Sequence, residues 1–358
     1  MIRQLHHAGS GPSVLIGSRR VASDAPVLVI AEAGVNHNGR PDEAVRLVDA
    51  AADAGADAVK LQVFRAAELT TCDAPLATYQ RESGQTGQRA LLERLELSDA
   101  TLRKVVERCR ERHIAFLGTP FAVADVDRLV ALGAPAIKIA STDLSNVPLL
   151  EAAARTELPL IVSTGASTAY EIVTAVQRIT GWGASGRLIL LHCVSCYPTP
   201  LGAANLRAIH ALEKSFGVPC GFSDHTQSTA IGGWAVAAGA CVLEKHFTLD
   251  RSAPGPDHGW SLAPQELRAY IAHAREAEAA RGSGHLGMTA IEQDVRRVAR
   301  RSVVAARGIP AGVELTRDML ALKRPAGGIE PGDLERLIGR RTRVALVADQ
   351  ALGWEQLA

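Results

Sequence analysis

The stretch VLVIAEAGVNHNG, residues 27–39, sets Glu32 at the end of an apolar run that reads as a buried strand. A strand buried on both faces has no use for a charge unless that charge faces a site. Seven further apolar runs end in the same way. They carry Lys60 and Gln62, Thr119, Lys138 and Ser141, Ser163 and Thr164, His192 and Ser195, then Ser223, Asp224 and His225, and last Glu244, Lys245 and His246. Singly, each has an inert explanation: a snorkelling lysine, a turn serine, a satisfied core histidine. Together, so many polar groups at one level are costly unless ligands or mutual hydrogen bonds satisfy them.

The ring has a chemical character. Lys60 and Lys138, with the hydroxyls of Thr119, Ser141 and Ser163, make a cationic, donor-rich patch suited to a phosphate that also carries a carboxylate. His225 and His246 come from consecutive runs, and two imidazoles with positions left for oxygen suit a divalent ion such as Mn²⁺ or Zn²⁺. Substrate or water would complete its shell, so the ion would be catalytic rather than structural.

Side chains at eight strand ends converge only if all those ends emerge on one face. From Val27 onward, short apolar runs alternate with longer amphipathic segments such as PDEAVRLVDAAADAG, which has proline at its start and glycine past its end. The eight strand–helix units predict a TIM (β/α)8 barrel over residues 1–281. A hairpin over 13–26 is expected to plug the barrel's bottom, and the long irregular segment 65–88 leaves from the catalytic rim. A Gly-rich stretch then opens a linker, 282–299. The Arg-rich tail, 300–358, alternates β-like runs (RSVVAARGI, RTRVALVA) with turns, and at about 60 residues it is expected to lean on a neighbour.

Composition narrows the function classes. With 358 residues and 47% hydrophobic content a large core is expected, and 39 Lys and Arg against 38 Asp and Glu argue against wholesale nucleic-acid binding. No run reaches the roughly 20 apolar residues that span a bilayer, so we expect a soluble, cytoplasmic protein without membrane partners. Of the six cysteines only Cys193 and Cys196 form a CxxC, and we read them as small hydrophobes rather than a zinc or redox pair.

Many ordered motifs resemble one family, the sialic acid synthases (N-acylneuraminate and legionaminate synthases). They are IAEAGVNHNG, GADAVKLQVF, TPF, KIAS, STG, LHC with YPTP, GFSDHT, LEKHFT and GPDH, and the tail, with SVVAARGIPAGVELTRDMLALKRPAGGI, looks like that family's small β-rich antifreeze-like (SAF) domain. The resemblance implies condensation of phosphoenolpyruvate with an open-chain 2-acetamido or 2,4-diacetamido hexose, giving a nine-carbon 2-keto acid and phosphate.

By motif, Lys60, Thr119, Lys138, Ser141 and Ser163 would bind phosphoenolpyruvate. His225 and His246 would hold Mn²⁺, with Mg²⁺ or Co²⁺ as substitutes. Glu32 and Glu244 would handle acceptor hydroxyls or the attacking water, with Gln62, Tyr197 and Asp257 near the acceptor. Arg324 would reach the acceptor from a partner subunit in a domain-swapped homodimer. Ser195 and Cys196 stand where family members often carry an amide or acidic residue, which bears on acceptor identity. Two other readings compete: a related phosphoenolpyruvate-dependent aldol synthase using another aldehyde, and a non-catalytic sugar-binding barrel.

Overall fold

The computed structural model describes residues 11–76, 87–284 and 286–358. Part of the irregular segment expected at the rim (77–86) and His285 of the expected linker lie outside the described residues. An antiparallel hairpin, β1 (Ser13–Ile16) and β2 (Arg19–Ala22), precedes eight parallel strands. These are β3 (Leu28–Gly34), β4 (Ala58–Val63), β5 (Ala115–Pro120), β6 (Ile137–Ile139), β7 (Leu160–Ser163), β8 (Leu188–Cys193), β9 (Cys220–Asp224) and β10 (Val242–His246). They close into a barrel in chain order, with β10 pairing β3. The (β/α)8 architecture is therefore as expected.

Local signals set the outer helices. Pro41 opens Pro41–Ala54, the Ser98 side chain accepts from the Thr101 amide at the start of Asp99–Glu111, and Thr168 and Glu171 make a capping box on Ala169–Ile179.

The period of two along each strand sorts the side chains into two cores. Outward residues such as Val59, Leu61, Ile139, Val162 and Phe222 pack beneath the helices. Inward residues, among them Leu28, Ile30, Leu117, Ile161, Ile189 and Val242, fill the barrel's interior together with Val14, Ile16 and Val21 of the hairpin. The hairpin is the expected plug.

Two compact units divide the chain after Ser283. In the second, β11 (Ser302–Ala305) pairs antiparallel with β12 (Leu320–Lys323) over a core that includes Val303, Leu315, Leu320 and Leu337. The run RTRVALVA reads as a strand but forms only isolated bridges, Glu314 with Arg341, Thr342 with Leu357 and Ile309 with Leu346. Val344 and Val347 stay exposed, so in this small unit neither face of that run gains a continuous partner. The stretch expected as a linker contains a short helix, Gln293–Ala299. No helix among the described residues is long and apolar enough to cross a membrane.

Candidate active site

One layer above the apolar interior, the inward positions turn polar. Leu28, Ile30 and Glu32 share the inner face of β3, as Ile189, Leu191 and Cys193 share that of β8. A cavity of about 710 Å³ opens at this level, within the range of small-ligand sites. Lys60 and Gln62 line it from β4, Thr119 from β5, Lys138 and Ser141 from β6 and its end, Ser163 from β7, Ser195 and Tyr197 after β8, Ser223 and His225 from β9 and its end, and Glu244 and His246 from β10.

Four buried charges meet at its floor. Lys60 Nζ donates to Thr119 Oγ1 at 2.7 Å, pairs with Glu32 Oε1 at 3.0 Å and lies 3.8 Å from Glu244 Oε2. Lys138 Nζ lies 3.7 Å from Glu244 Oε1, which accepts from Ser223 Oγ at 3.0 Å. Glu32 Oε2, Glu244 Oε2 and Ser163 Oγ are buried with no hydrogen-bond partner among the described residues. Such orphaned atoms are costly unless a ligand or water meets them.

The two carboxylates titrate apart. Burial outweighs the attraction of Lys60 and, with the repulsion of Glu244, pushes Glu32 up to about 7. Burial also acts on Glu244, but Lys138 and Lys60 together hold it below the usual carboxylate range. One side chain is thus poised to carry a proton while its neighbour stays charged. Asp257, buried and repelled by Glu32, is likewise pushed up to about 7.

The histidines form the far wall. Their ring centroids are 5.7 Å apart, Tyr197 packs on His225 at 4.3 Å and Trp260 on His246 at 4.3 Å. His225 Nδ1 faces the Val194 carbonyl at 2.8 Å, which leaves Nε2 for another partner. His246 Nδ1 is buried without a hydrogen bond among the described residues, 3.9 Å from Asp257 Oδ2. Burial and the nearby cations push His246 well below the usual imidazole range, so it is neutral, the form that ligates metal. Among the described residues no three His, Cys, Asp or Glu side chains are grouped to hold an ion unaided.

Loops fix this wall. Asn36 Nδ2 donates to the Phe247 carbonyl at 2.8 Å and reaches Ser261 Oγ at 3.0 Å, and Ser261 Oγ donates to the Asp257 carbonyl at 2.6 Å. Gly34 has φ +55°, and a Cβ there would stand 3.3 Å from Glu32 Oε1 and 3.5 Å from Asp257 Oδ2. Glycine both permits that backbone and keeps the space between two carboxyl groups open.

The rim residues expected from sequence do not all turn inward. Asp224 and Lys245 point away from the cavity and pair with each other. His192 bonds the Ala204 carbonyl and stacks on Phe222, and Thr164 Oγ1 donates to the Leu191 carbonyl. Each is one residue out of step with an inward neighbour. Arg324 is exposed in the second unit.

Cys193, Phe121 and Gln88 line the cavity and were not singled out as site residues from sequence. Counting by two from Ile189 finds Cys193. Its thiol lies 3.7 Å from His225 Nδ1 and 4.0 Å from Ser195 Oγ. A Cβ on Gly165, whose amide donates to Ser141 Oγ at 2.9 Å, would come within 2.8 Å of that sulfur.

Comparison with known proteins places the chain in a family. Residues 47–286 match the NeuB family and residues 300–358 the SAF domain. The chain is 38% identical over 346 residues to the N,N'-diacetyllegionaminic acid synthase of Legionella pneumophila, covering 95% of this chain and 97% of that one. It is 32% identical to the human N-acetylneuraminate-9-phosphate synthase, covering 94% of each. Among solved structures, the N-acetylneuraminic acid (sialic acid) synthetase of Leptospira borgpetersenii superposes with a TM-score of 0.73 at 36% identity, over 81% of this chain and 96% of that one. With a buried ring of two lysines, two glutamates and two histidines at the mouth of its barrel, the chain belongs to the NeuB family of sialic-acid-type synthases, with a SAF domain in its second unit.

Proposed function

We propose that this phosphoenolpyruvate-dependent synthase takes an open-chain 2,4-diacetamido hexose, or failing that a 2-acetamido hexose, and that a divalent ion, Mn²⁺ first, assists the reaction. The observation that carries the reading is the single cavity in which Lys60, Lys138, Glu32, Glu244, His225 and His246 face one another. An unphosphorylated acceptor fits because Lys60 and Lys138 are the only Lys or Arg among the described residues lining that cavity. Those two ammonium groups are needed for phosphoenolpyruvate. The greater identity to a diacetyllegionaminic than to a 9-phosphate synthase favours the diacetamido sugar.

Lys138, Lys60 and the hydroxyls of Thr119, Ser141 and Ser163 would hold the phosphate and carboxylate. The neutral His246, whose Nδ1 has no hydrogen bond among the described residues, and the His225 ring, whose Nδ1 faces the Val194 carbonyl, fit a metal ion, which would polarise the acceptor aldehyde as a Lewis acid. As the methylene carbon of phosphoenolpyruvate bonds to the aldehyde carbon, a protonated Glu32 would deliver a proton to the new hydroxyl. Glu244, held ionised, would stabilise positive charge at the neighbouring, phosphate-bearing carbon. Water adds there and gives its proton to the Glu32 carboxylate left by the first step, the bond from that carbon to the phosphate oxygen breaks, and phosphate leaves. Gln62, Tyr197 and Ser195 line the remaining wall and would contact the acceptor. We further propose a homodimer in which Arg324 acts on the partner's acceptor.

Phosphate release from phosphoenolpyruvate with a panel of sugars tests this reading. Turnover with 2,4-diacetamido and 2-acetamido hexoses supports it. Turnover only with phosphorylated or unrelated aldehydes would replace it with the broader aldol synthase, and none with any aldehyde would leave a binding barrel. Chelation should abolish turnover and Mn²⁺ restore it.

A further inference from the structure

Asp224 and Lys245 have rim-type chemistry but stand on the outer face of β9 and β10. They are direct register partners, and each immediately precedes one of the two histidines. Lys245 Nζ donates to Asp224 Oδ2 at 2.8 Å, with both side chains at most 1% exposed. The same ammonium donates to the Thr226 carbonyl, and Asp224 Oδ1 accepts from the Thr226 amide at 2.8 Å. One ion pair therefore joins the two strands just before both imidazoles and grips the residue after His225 through both of its polar backbone groups. Tyr270, fully buried on the helix Pro264–Arg281, stands over the ammonium at 5.5 Å from its ring centroid.

Net stability is a poor reason for such a pair. Desolvating two charges offsets most of their attraction, and apolar replacements of buried pairs are often neutral or stabilising. Geometry is the better one. We infer that the Asp224–Lys245 pair is a positioning clamp that sets the spacing of His225 and His246 and thereby the affinity for the divalent ion. The inference rests on the metal reading above. These contacts bracket His225 on both sides along the chain and tie it to the residue before His246, so removing them frees the end of β9 to shift against β10.

The test uses the full chain with two variants, Asp224→Leu/Lys245→Met, which removes both charges at similar volume, and Lys245→Arg, which keeps a cation able to bond both oxygens. Free Mn²⁺ is followed by electron paramagnetic resonance during titration, alongside thermal melting and phosphoenolpyruvate binding. The double variant is expected to fold, to bind phosphoenolpyruvate like the parent, and to bind Mn²⁺ about tenfold or more weakly. Lys245→Arg is expected to recover most of the affinity. Mn²⁺ binding within twofold of the parent in the double variant would overturn the clamp. Failure of that variant to fold would overturn it too, by making the pair a stability element. A parent protein that turns over yet binds no Mn²⁺ would instead remove the metal reading, and the clamp with it.

Discussion

Glu32 and Glu244 share Lys60, yet only Glu244 also has Lys138 and the Ser223 hydroxyl beside it. That difference keeps one charged and lets burial raise the other. The raised group makes the folded state hold a proton that the unfolded chain, with a carboxyl near 4.5, releases first. Between pH 4.5 and about 7 the unfolded state then binds fewer protons, so stability falls as pH rises, by about 3 kcal/mol in full for a buried group. Glu32→Gln should therefore raise the melting temperature of the ligand-free protein at pH 8 and leave it unchanged at pH 4. An equal gain at both would show that the gain does not come from the Glu32 proton and would overturn the raised titration. At the anion patch, Lys138→Ala removes a charge-assisted contact and should lower kcat/KM for phosphoenolpyruvate by roughly ten- to a hundredfold, with less effect on the acceptor. Unchanged steady-state constants would place the anion elsewhere.

At the scale of the element, a strand of this barrel is two instruments on one backbone. The inner face of β3 runs Leu28, Ile30, Glu32, so stability and chemistry occupy successive layers of the same face. Ile30→Ala opens a cavity against the hairpin-plugged interior and should cost about 2–5 kcal/mol in urea unfolding. Activity measured far below the melting temperature should stay near the parent's, since the lost atoms lie one layer from the charges. A drop in kcat equal to that of a rim variant would show the layers to be coupled. A step of one residue along a strand likewise separates Glu244 in the cavity from Lys245 in the clamp.

For the whole molecule, the second unit has a core of its own in Val303, Leu315, Leu337 and their neighbours. Residues 1–283 should accordingly fold without it, with a barrel-like circular dichroism spectrum but depressed synthesis. The proposed role of Arg324 across a dimer is checked by co-refolding two inactive variants, Arg324→Ala and Glu32→Ala. Activity should return in part, because a mixed dimer pairs one intact Glu32 with a partner's intact Arg324. A mixture that stays inactive would put Arg324 and Glu32 to work within one chain.

Sequence alone carried the barrel, its plugging hairpin, the tail and the ring of strand-end residues. Each of these depends on local rules: the alternation of apolar runs with capped helices, and polar residues where buried strands stop. What it left open was which of two adjacent rim residues faces the cavity. Asp224, Lys245 and Thr164 read as site residues along with Ser223, His246 and Ser163, and His192 reads as one in place of Cys193, because a fully apolar strand shows no polar–apolar alternation to mark its inner face. Closure of the barrel decides that parity by fixing every strand's phase at once, and it places Cys193 inside and His192 outside. The unequal titration of Glu32 and Glu244 follows from distances between strands far apart in sequence, and the pairing of Asp224 with Lys245 from the register of two consecutive strands. Those distances exist only once the tertiary structure has brought the strand ends together.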